Sequence, residues 1–330
     1  MYSFFIGIDV SKNYLDVAYI LFKKDCYLGR FPNSVEGFIS IISQLKQVVN
    51  YDLDSWFFCF ENTGVYSKGL LFWFHENGIH FKEENPIQIH RSLGLKRGKN
   101  DKADAKSIAR YAYEKRESIE SSKPSKPAVL KLKKLILRRD LLVKQRTAMK
   151  TSFNMQKRVL DEDLLVLFGK QTENLVQLLN AQIDSLEMEM KRVISEDISM
   201  KKNDQLMQSI IGIGPIVSAF VLAYSENFEL ISDPKKLASF IGIAPFENSS
   251  GEFKGKTKVS QLAHKKLKSK LSNAAQSAIR HDPQLTHYFN RKIAEGKHQG
   301  SVINAVKNKL VQRIYAVIKR QSPYVKFNYA

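Results

Sequence analysis

Asp9, Glu61, Asp101 and Asp104 are the residues of this chain whose type and spacing could do chemistry. Asp9 closes the apolar run Phe4-Phe5-Ile6-Gly7-Ile8, and Glu61 closes Trp56-Phe57-Phe58-Cys59-Phe60. Each carboxylate is therefore expected at the end of a buried strand, where it needs a partner. Asp101 and Asp104 are three apart at the start of a predicted helix and share one face of its first turn. Ligands that are all oxygen favour Mg²⁺ or Mn²⁺. Enzymes that break phosphodiesters commonly use two such ions about 4 Å apart, held by three or four carboxylates. Singly, the acids have plainer readings: Asp9 orients a turn, and Asp101 and Asp104 favour a helix N-terminus by about 0.3–1 kcal/mol each. Glu61 is hardest to explain in that way.

The elements that must position these acids are legible in the pattern. Residues 3–9, 14–22 and 26–31 are β-rich and joined by short turns, as in an antiparallel meander. Asn33 or Ser34 can cap a helix over 35–49, and the strand at 55–61 returns from it. A right-handed crossover makes that strand parallel to the first and brings Glu61 to the same edge as Asp9. A helix at 66–77 and a strand at 79–83 follow, the strand order of an α/β RNase H-like domain. Ser121-Ser122-Lys123-Pro124-Ser125-Lys126-Pro127 reads as a linker. Across 128–198 Leu179, Leu186 and Val193 recur seven apart, with Ile183 and Met190 between them. This fits a short coiled coil or a helical hairpin, within one chain or between two. The last part is mainly α. Ile210-Ile211-Gly212-Ile213-Gly214-Pro215 before an apolar helix resembles a helix-hairpin-helix, whose Gly212 and Gly214 amides would face a phosphate. Residues 245–260 read as an exposed loop, and basic helices follow. The expected parts are 1–120, a metal-binding α/β domain; 121–200, a helical linker; and 201–330, a mainly α domain.

The formal charge of the 330-residue chain is +19, and it is unevenly placed. Residues 91–170 hold 22 Lys or Arg against 9 acids and 251–330 hold 17 against 3, while the remainder is net acidic. Two basic blocks beside an acidic remainder predict nucleic-acid contact, with Lys254, Lys256, Lys258, Lys265 and Lys266 as candidates in the second block. Tyr111, Tyr113, Phe253, Tyr288 and Phe289 could stack on bases, although a core role is the commoner fate of an aromatic. With 43% hydrophobic residues, disorder is excluded. The absence of a basic leader or an apolar run of roughly 20 residues points away from export and the membrane, toward the cytoplasm and the nucleoid. Cys26 and Cys59 lack zinc or disulfide spacing and read as small apolar residues.

Gly7-Ile8-Asp9-Val10-Ser11-Lys12, Glu61-Asn62-Thr63-Gly64 and Lys99-Asn100-Asp101-Lys102-Ala103-Asp104-Ala105 resemble, in order and spacing, the DEDD motifs of the insertion-sequence transposases that include pilin-gene invertases and bridge-RNA-guided recombinases. The resemblance continues through Ile211-Gly212-Ile213-Gly214-Pro215, Leu237-Ala238-Ser239-Phe240-Ile241-Gly242-Ile243-Ala244-Pro245, Ser250-Gly251 and Ala305-Val306-Lys307-Asn308-Lys309-Leu310, nearly the whole chain. It implies a RuvC-like N-terminal domain with Asp9, Glu61, Asp101 and Asp104 as metal ligands, and a C-terminal domain whose nucleophile is Ser250, or Ser249 if the register differs. It also implies donor and target DNA, a non-coding guide RNA, a homo-oligomer that shares active sites, and strand exchange through a phosphoserine. Three rivals remain from the residues: a RuvC-like junction resolvase or nuclease using water, an actin-like kinase with a similar first strand, and a nucleic-acid scaffold with a degenerate site.

Overall fold

The computed structural model describes residues 2–92, 100–122, 125–250, 253–259 and 263–325, with backbone alone at 245–250 and 253–259. The chain divides into two compact units, Met1–Pro124 and Ser125–Ala330.

In the first unit, β1 (Phe4–Val10), β2 (Tyr14–Leu21) and β3 (Lys24–Pro32) form the expected meander, and α1 (Val35–Val48) follows. Ser34 caps α1 by accepting from the Gly37 amide. β4 (Trp56–Glu61), α2 (Lys68–Glu76), β5 (Phe81–Glu84), α3 (Pro86–Ser92) and α4 (Asp101–Glu114) complete the unit. The sheet order is β3-β2-β1-β4-β5, with β1, β4 and β5 parallel and β2 antiparallel to both its neighbours. One face carries Phe4, Ile6, Ile8, Phe58, Phe60 and Phe81 against Phe38, Ile41 and Leu45 of α1 and Leu70 and Phe74 of α2. The other carries Phe5, Phe57 and Cys59 against Ile89 of α3 and Ile108, Tyr111 and Ala112 of α4. Both faces are buried, which is why these strands read as continuous apolar runs. Gly7 fixes the seat of α4: a Cβ there would lie 2.2 Å from the Ala109 amide nitrogen and 2.4 Å from the Ala105 carbonyl oxygen. Only glycine lets the helix backbone approach β1 so closely.

In the second unit α5 (Pro127–Gln156) and α6 (Glu162–Glu196) form an antiparallel hairpin within one chain. Its seam takes Ile183, Met190 and Val193 from α6, with Leu179 and Leu186 half-buried beside them. Intramolecular packing thus accounts for the seven-residue spacing. Arg139 reaches Glu187 at 2.6 Å and Arg146 reaches Asn180 at 2.7 Å across the hairpin. Then come α7 (Ile198–Gln208), α8 (Pro215–Tyr224), α9 (Pro234–Ile241), α10 (Lys265–His281), α11 (Pro283–Ala294) and α12 (Gln299–Arg320) around an apolar core that includes Phe220, Leu237, Leu271, Leu310 and Ile314. Pro opens α5, α8, α9 and α11, where its missing N–H costs nothing.

One segment departs from the sequence reading. Residues 245–260 are not simply a loop: β6 (Pro245–Ser250) and β7 (Phe253–Val259) pair antiparallel as a hairpin. Phe253, Gly255, Thr257 and Val259 alternate with Lys254, Lys256 and Lys258. That period of two is a strand signal, obscured by the polar, glycine-containing composition.

Candidate active site

The parallel register of β1 and β4 sets Ile8 opposite Phe60, so Asp9 and Glu61, one residue further on, lie abreast at the carboxyl edge. β1 and β2 set Asp9 opposite Asp16, β2 and β3 set Asp16 opposite Arg30, and β4 and β5 set Glu61 opposite Glu84. Directly paired residues share a face. Arg30, Asp16, Asp9, Glu61 and Glu84 therefore form one charged row across all five strands, on the face covered by α4. Asp101 and Asp104 descend on it from the first turn of α4, whose N-cap Asn100 accepts from the Lys102 amide at 3.0 Å. Lys99, quoted in the helix-start motif, lies outside the described residues.

Four acids at one edge repel one another. The Asp9 carboxyl is pushed up to about 7, first by burial and then by Asp104, Glu61, Asp101 and Asp16. The flanks of the row are neutralised by protein groups. Buried Asp16 accepts from the Tyr27 hydroxyl at 2.6 Å and from Arg30 Nε at 3.0 Å. Arg30 also donates to Asp101 Oδ2 at 2.7 Å. Glu84 accepts from the Tyr111 hydroxyl at 3.0 Å, so Tyr111 is a buried strut rather than a base-stacking platform. His90 Nε2 stands 3.9 Å from Glu61 Oε1.

The donor set suits a hard divalent cation: oxygens only, excess negative charge, and an Asp9 whose proton a metal would replace. Among the described residues no group of three or more His, Cys, Asp or Glu side chains stands close enough together to hold a metal ion as placed. A hard divalent ion held by one or two carboxylates completes its coordination with water and substrate phosphate, so an open set of acids does not by itself disfavour one. Sequence reasoning missed Asp16, Arg30 and Glu84; strand register is the signal that finds them.

In the second unit Ser250 is the last residue of β6, with its backbone opposite Phe253, and Ser249 lies opposite Lys254. The side chains of Ser249, Ser250, Lys254, Lys256, Lys258 and Phe253, and the whole of Gly251, lie outside the described residues. The turn from which the hairpin departs is held from two helices. Lys268 Nζ of α10 donates to the Gly242 carbonyl at 2.8 Å and Asn304 Nδ2 of α12 donates to the Ile243 carbonyl at 2.9 Å. Buried Lys307, 3.2 Å from Ser272 Oγ, has its pKa lowered by burial and by Lys268. Lys265 is exposed in the first turn of α10, and Lys266 faces Asp140 at 3.4 Å.

The two glycines of the helix–turn–helix have different settings. Gly212, at φ 94°, presses on α10: a Cβ would meet the Ala274 carbonyl oxygen at 2.6 Å and the Ala278 Cβ at 2.8 Å. Gly212 is therefore a packing residue. Gly214 is the N-cap of α8 and has open space where a side chain would be. Tyr288 lies under Lys309 at 4.4 Å from the ring centre, a cation–π contact on the basic C-terminal helices.

A mixed sheet of this order, with acids at the carboxyl edge of its parallel strands and a strongly basic chain around it, defines an RNase H-like enzyme acting on polynucleotides. Residues 6–162 match the DEDD domain of the IS110 transposases, and residues 204–290 match the transposase family IS116/IS110/IS902. The chain is 27% identical to the pilin gene-inverting protein of Moraxella lacunata and 26% identical to that of Moraxella bovis, in each case over 98% of both chains. It is 26% identical to the transposase of insertion sequence IS1111A of Coxiella burnetii, over 70% of this chain and 69% of that one. The chain thus carries IS110-family transposase domains and is homologous to a pilin gene-inverting protein and an insertion-sequence transposase, a kinship that supports DNA cleavage and rejoining as its activity. The DEDD domain carries with it dependence on a divalent metal. No described helix is long and apolar enough to cross a membrane.

Proposed function

We propose that this protein recombines DNA with two sets of groups: a RuvC-like metal centre on Asp9, Glu61, Asp101 and Asp104, and a nucleophilic Ser250 on the β6–β7 hairpin. The observation that carries the metal half is the convergence of repelling carboxylates on half-buried Asp9. Mg²⁺ or Mn²⁺ bound there supplies charge stabilisation to the scissile phosphate and its leaving oxygen. Ser250 Oγ forms the new bond to phosphorus as the strand oxygen leaves, so a phosphoserine ester stores the bond energy and the strands rejoin without ATP. The resemblance carries Ser250. A serine ending a strand, on a hairpin anchored by Lys268 and Asn304, suits a nucleophile that must be presented to a duplex. A metal-activated water in place of Ser250 is the second reading, because the same acids suffice for hydrolysis.

The partners follow from charge and exposed surface. Donor and target DNA, and a structured non-coding RNA, are polyanions that fit the two basic blocks. The alternating Lys254, Lys256 and Lys258 positions place one such block on the hairpin itself. α6 leaves Leu164, Leu167, Leu175 and Leu178 exposed at 40–58%. At 100° per residue these four fall on one stripe, the signature of a coiled-coil seam that awaits a second copy. The helix–turn–helix of α7 and α8 serves as a helix-hairpin-helix-like phosphate contact through the open Gly214 end.

Ser250→Ala separates the readings. With a serine nucleophile the variant loses both recombination and the denaturant-resistant protein–DNA adduct, while Mn²⁺ binding is unchanged. Strand cleavage at the wild-type rate, with no adduct, by Ser250→Ala and by the double variant Ser249→Ala/Ser250→Ala would establish water as the nucleophile instead.

A further inference from the structure

The row of charges contains a device that the DEDD acids do not explain. Arg30 is directed at the site by a β-bulge: the β2–β3 register shifts between Val17 and Ala18, which sets Arg30 opposite Asp16. Continuing the register of the hairpin end without that shift would set Arg30 opposite Leu15 instead, on the other face of the sheet. Bulges beside functional sites re-aim a side chain in this way. Asp16 is 4% exposed, and a carboxylate so buried must be satisfied. Tyr27 Oη at 2.6 Å covers Oδ1, and Arg30 Nε at 3.0 Å with NH2 at 2.9 Å covers Oδ2. The guanidinium therefore cannot swing away without stranding a buried charge. Held in this fork, its NH2 reaches Asp101 Oδ2 at 2.7 Å. The next residue of α4 is gripped as well, with Lys102 Nζ 4.5 Å from the centre of the Tyr27 ring. Asp101 is itself an exposed side chain on the first turn of a helix. A carboxylate of that kind is ordinarily free to turn.

The geometry points to Asp16, Tyr27 and Arg30 as a positioning relay that fixes the rotation of Asp101, occupying Oδ2 and leaving Oδ1 for the divalent ion. The inference rests on the metal-site reading given above. A pinned carboxylate binds an ion without first losing rotamer freedom, and such supporting partners typically govern metal affinity by about 10–100-fold. Arg rather than Lys is required, because only the planar fork can bridge two carboxylates in fixed directions.

The test is Mn²⁺ affinity, measured by calorimetry on the full chain for wild type, Arg30→Gln, Arg30→Lys and Asp9→Asn. Near-ultraviolet circular dichroism and thermal melting monitor the fold. The relay predicts that Arg30→Gln and Arg30→Lys both weaken Mn²⁺ binding by about tenfold or more. Lys fails despite its charge because it cannot make the bridge. Tighter binding in Arg30→Gln would overturn the relay and make Arg30 a competitor of the metal for Asp101. Wild-type affinity in a folded Arg30→Lys would overturn it too, reducing Arg30 to a counter-charge. If wild type and Asp9→Asn bind Mn²⁺ equally weakly, the metal-site reading itself falls; if Asp9→Asn alone loses binding, the relay fails while the metal site stands.

Discussion

Replacing Asp9 with Asn removes one negative charge from the centre of the carboxylate row while keeping the shape of the side chain. Folding raises the Asp9 carboxyl to about 7, by burial and by repulsion from Asp104, Glu61 and Asp101, whereas in the unfolded chain it titrates near the ordinary value of about 3.9. Between those two pH values the folded protein holds a proton that the unfolded chain has released. Stability contributed by this group is therefore present at low pH and lost as pH rises through about 7. Moving from about 3.9 to about 7 corresponds to about 4 kcal/mol for a group shielded from water. Solvent reaches part of Asp9, and screening reduces the expected effect to about 1–2 kcal/mol. Metal-free Asp9→Asn should therefore exceed wild type in urea unfolding by only about 0.5 kcal/mol at pH 5, where about a third of the loss has occurred, and by about 1–2 kcal/mol at pH 8. Saturating Mn²⁺ should reverse the order at pH 8, since a ligand at 100 times its Kd adds about 2.7 kcal/mol to the protein that binds it. A gap that is the same at both pH values, or an Asp9→Asn protein less stable at pH 8 without metal, would refute the electrostatic argument.

Gly7→Ala should destabilise the protein by about 3 kcal/mol in urea unfolding, because its Cβ meets the backbone of α4 at 2.2 Å and that backbone has nowhere to retreat. The same change should weaken Mn²⁺ binding, since α4 carries Asp101 and Asp104. Leu167→Glu with Leu178→Glu should leave the melting temperature within a few degrees and shift the protein toward monomer in analytical ultracentrifugation, because both side chains are exposed on the outer stripe of α6.

How far the sequence reaches is clearest at the acids. Asp9 and Glu61 were legible because each ends an apolar run, and a run of that length buried on both faces has few homes other than a central parallel strand. The crossover rule then set the two strands side by side, and the structure has β1 and β4 adjacent and parallel. Asp101 was legible because it stands three residues before Asp104 at the start of a predicted helix, so the two share a face of its first turn. Asp16 and Arg30 were not, since an Asp in Tyr14-Leu15-Asp16-Val17 and an Arg before Phe31-Pro32 look like ordinary solvent-facing strand residues. Their pairing depends on a single bulge. A slip of one residue moves every side chain of a strand to the opposite face, and composition alone carries no trace of where β2 and β3 slip. The hairpin at 245–259 was hidden for a related reason. Its lysines alternate, but alternation of charge with Gly and Thr lacks the apolar face by which strands are usually recognised. Motif resemblance finds residues that touch the reacting atoms, because their chemistry restricts their type; residues that hold those in place are restricted by register and packing. The two kinds meet at Arg30. It matches no catalytic pattern, yet it is bonded to Asp101, one of the proposed metal-binding acids, and it is tied to that acid through a carboxylate no motif includes.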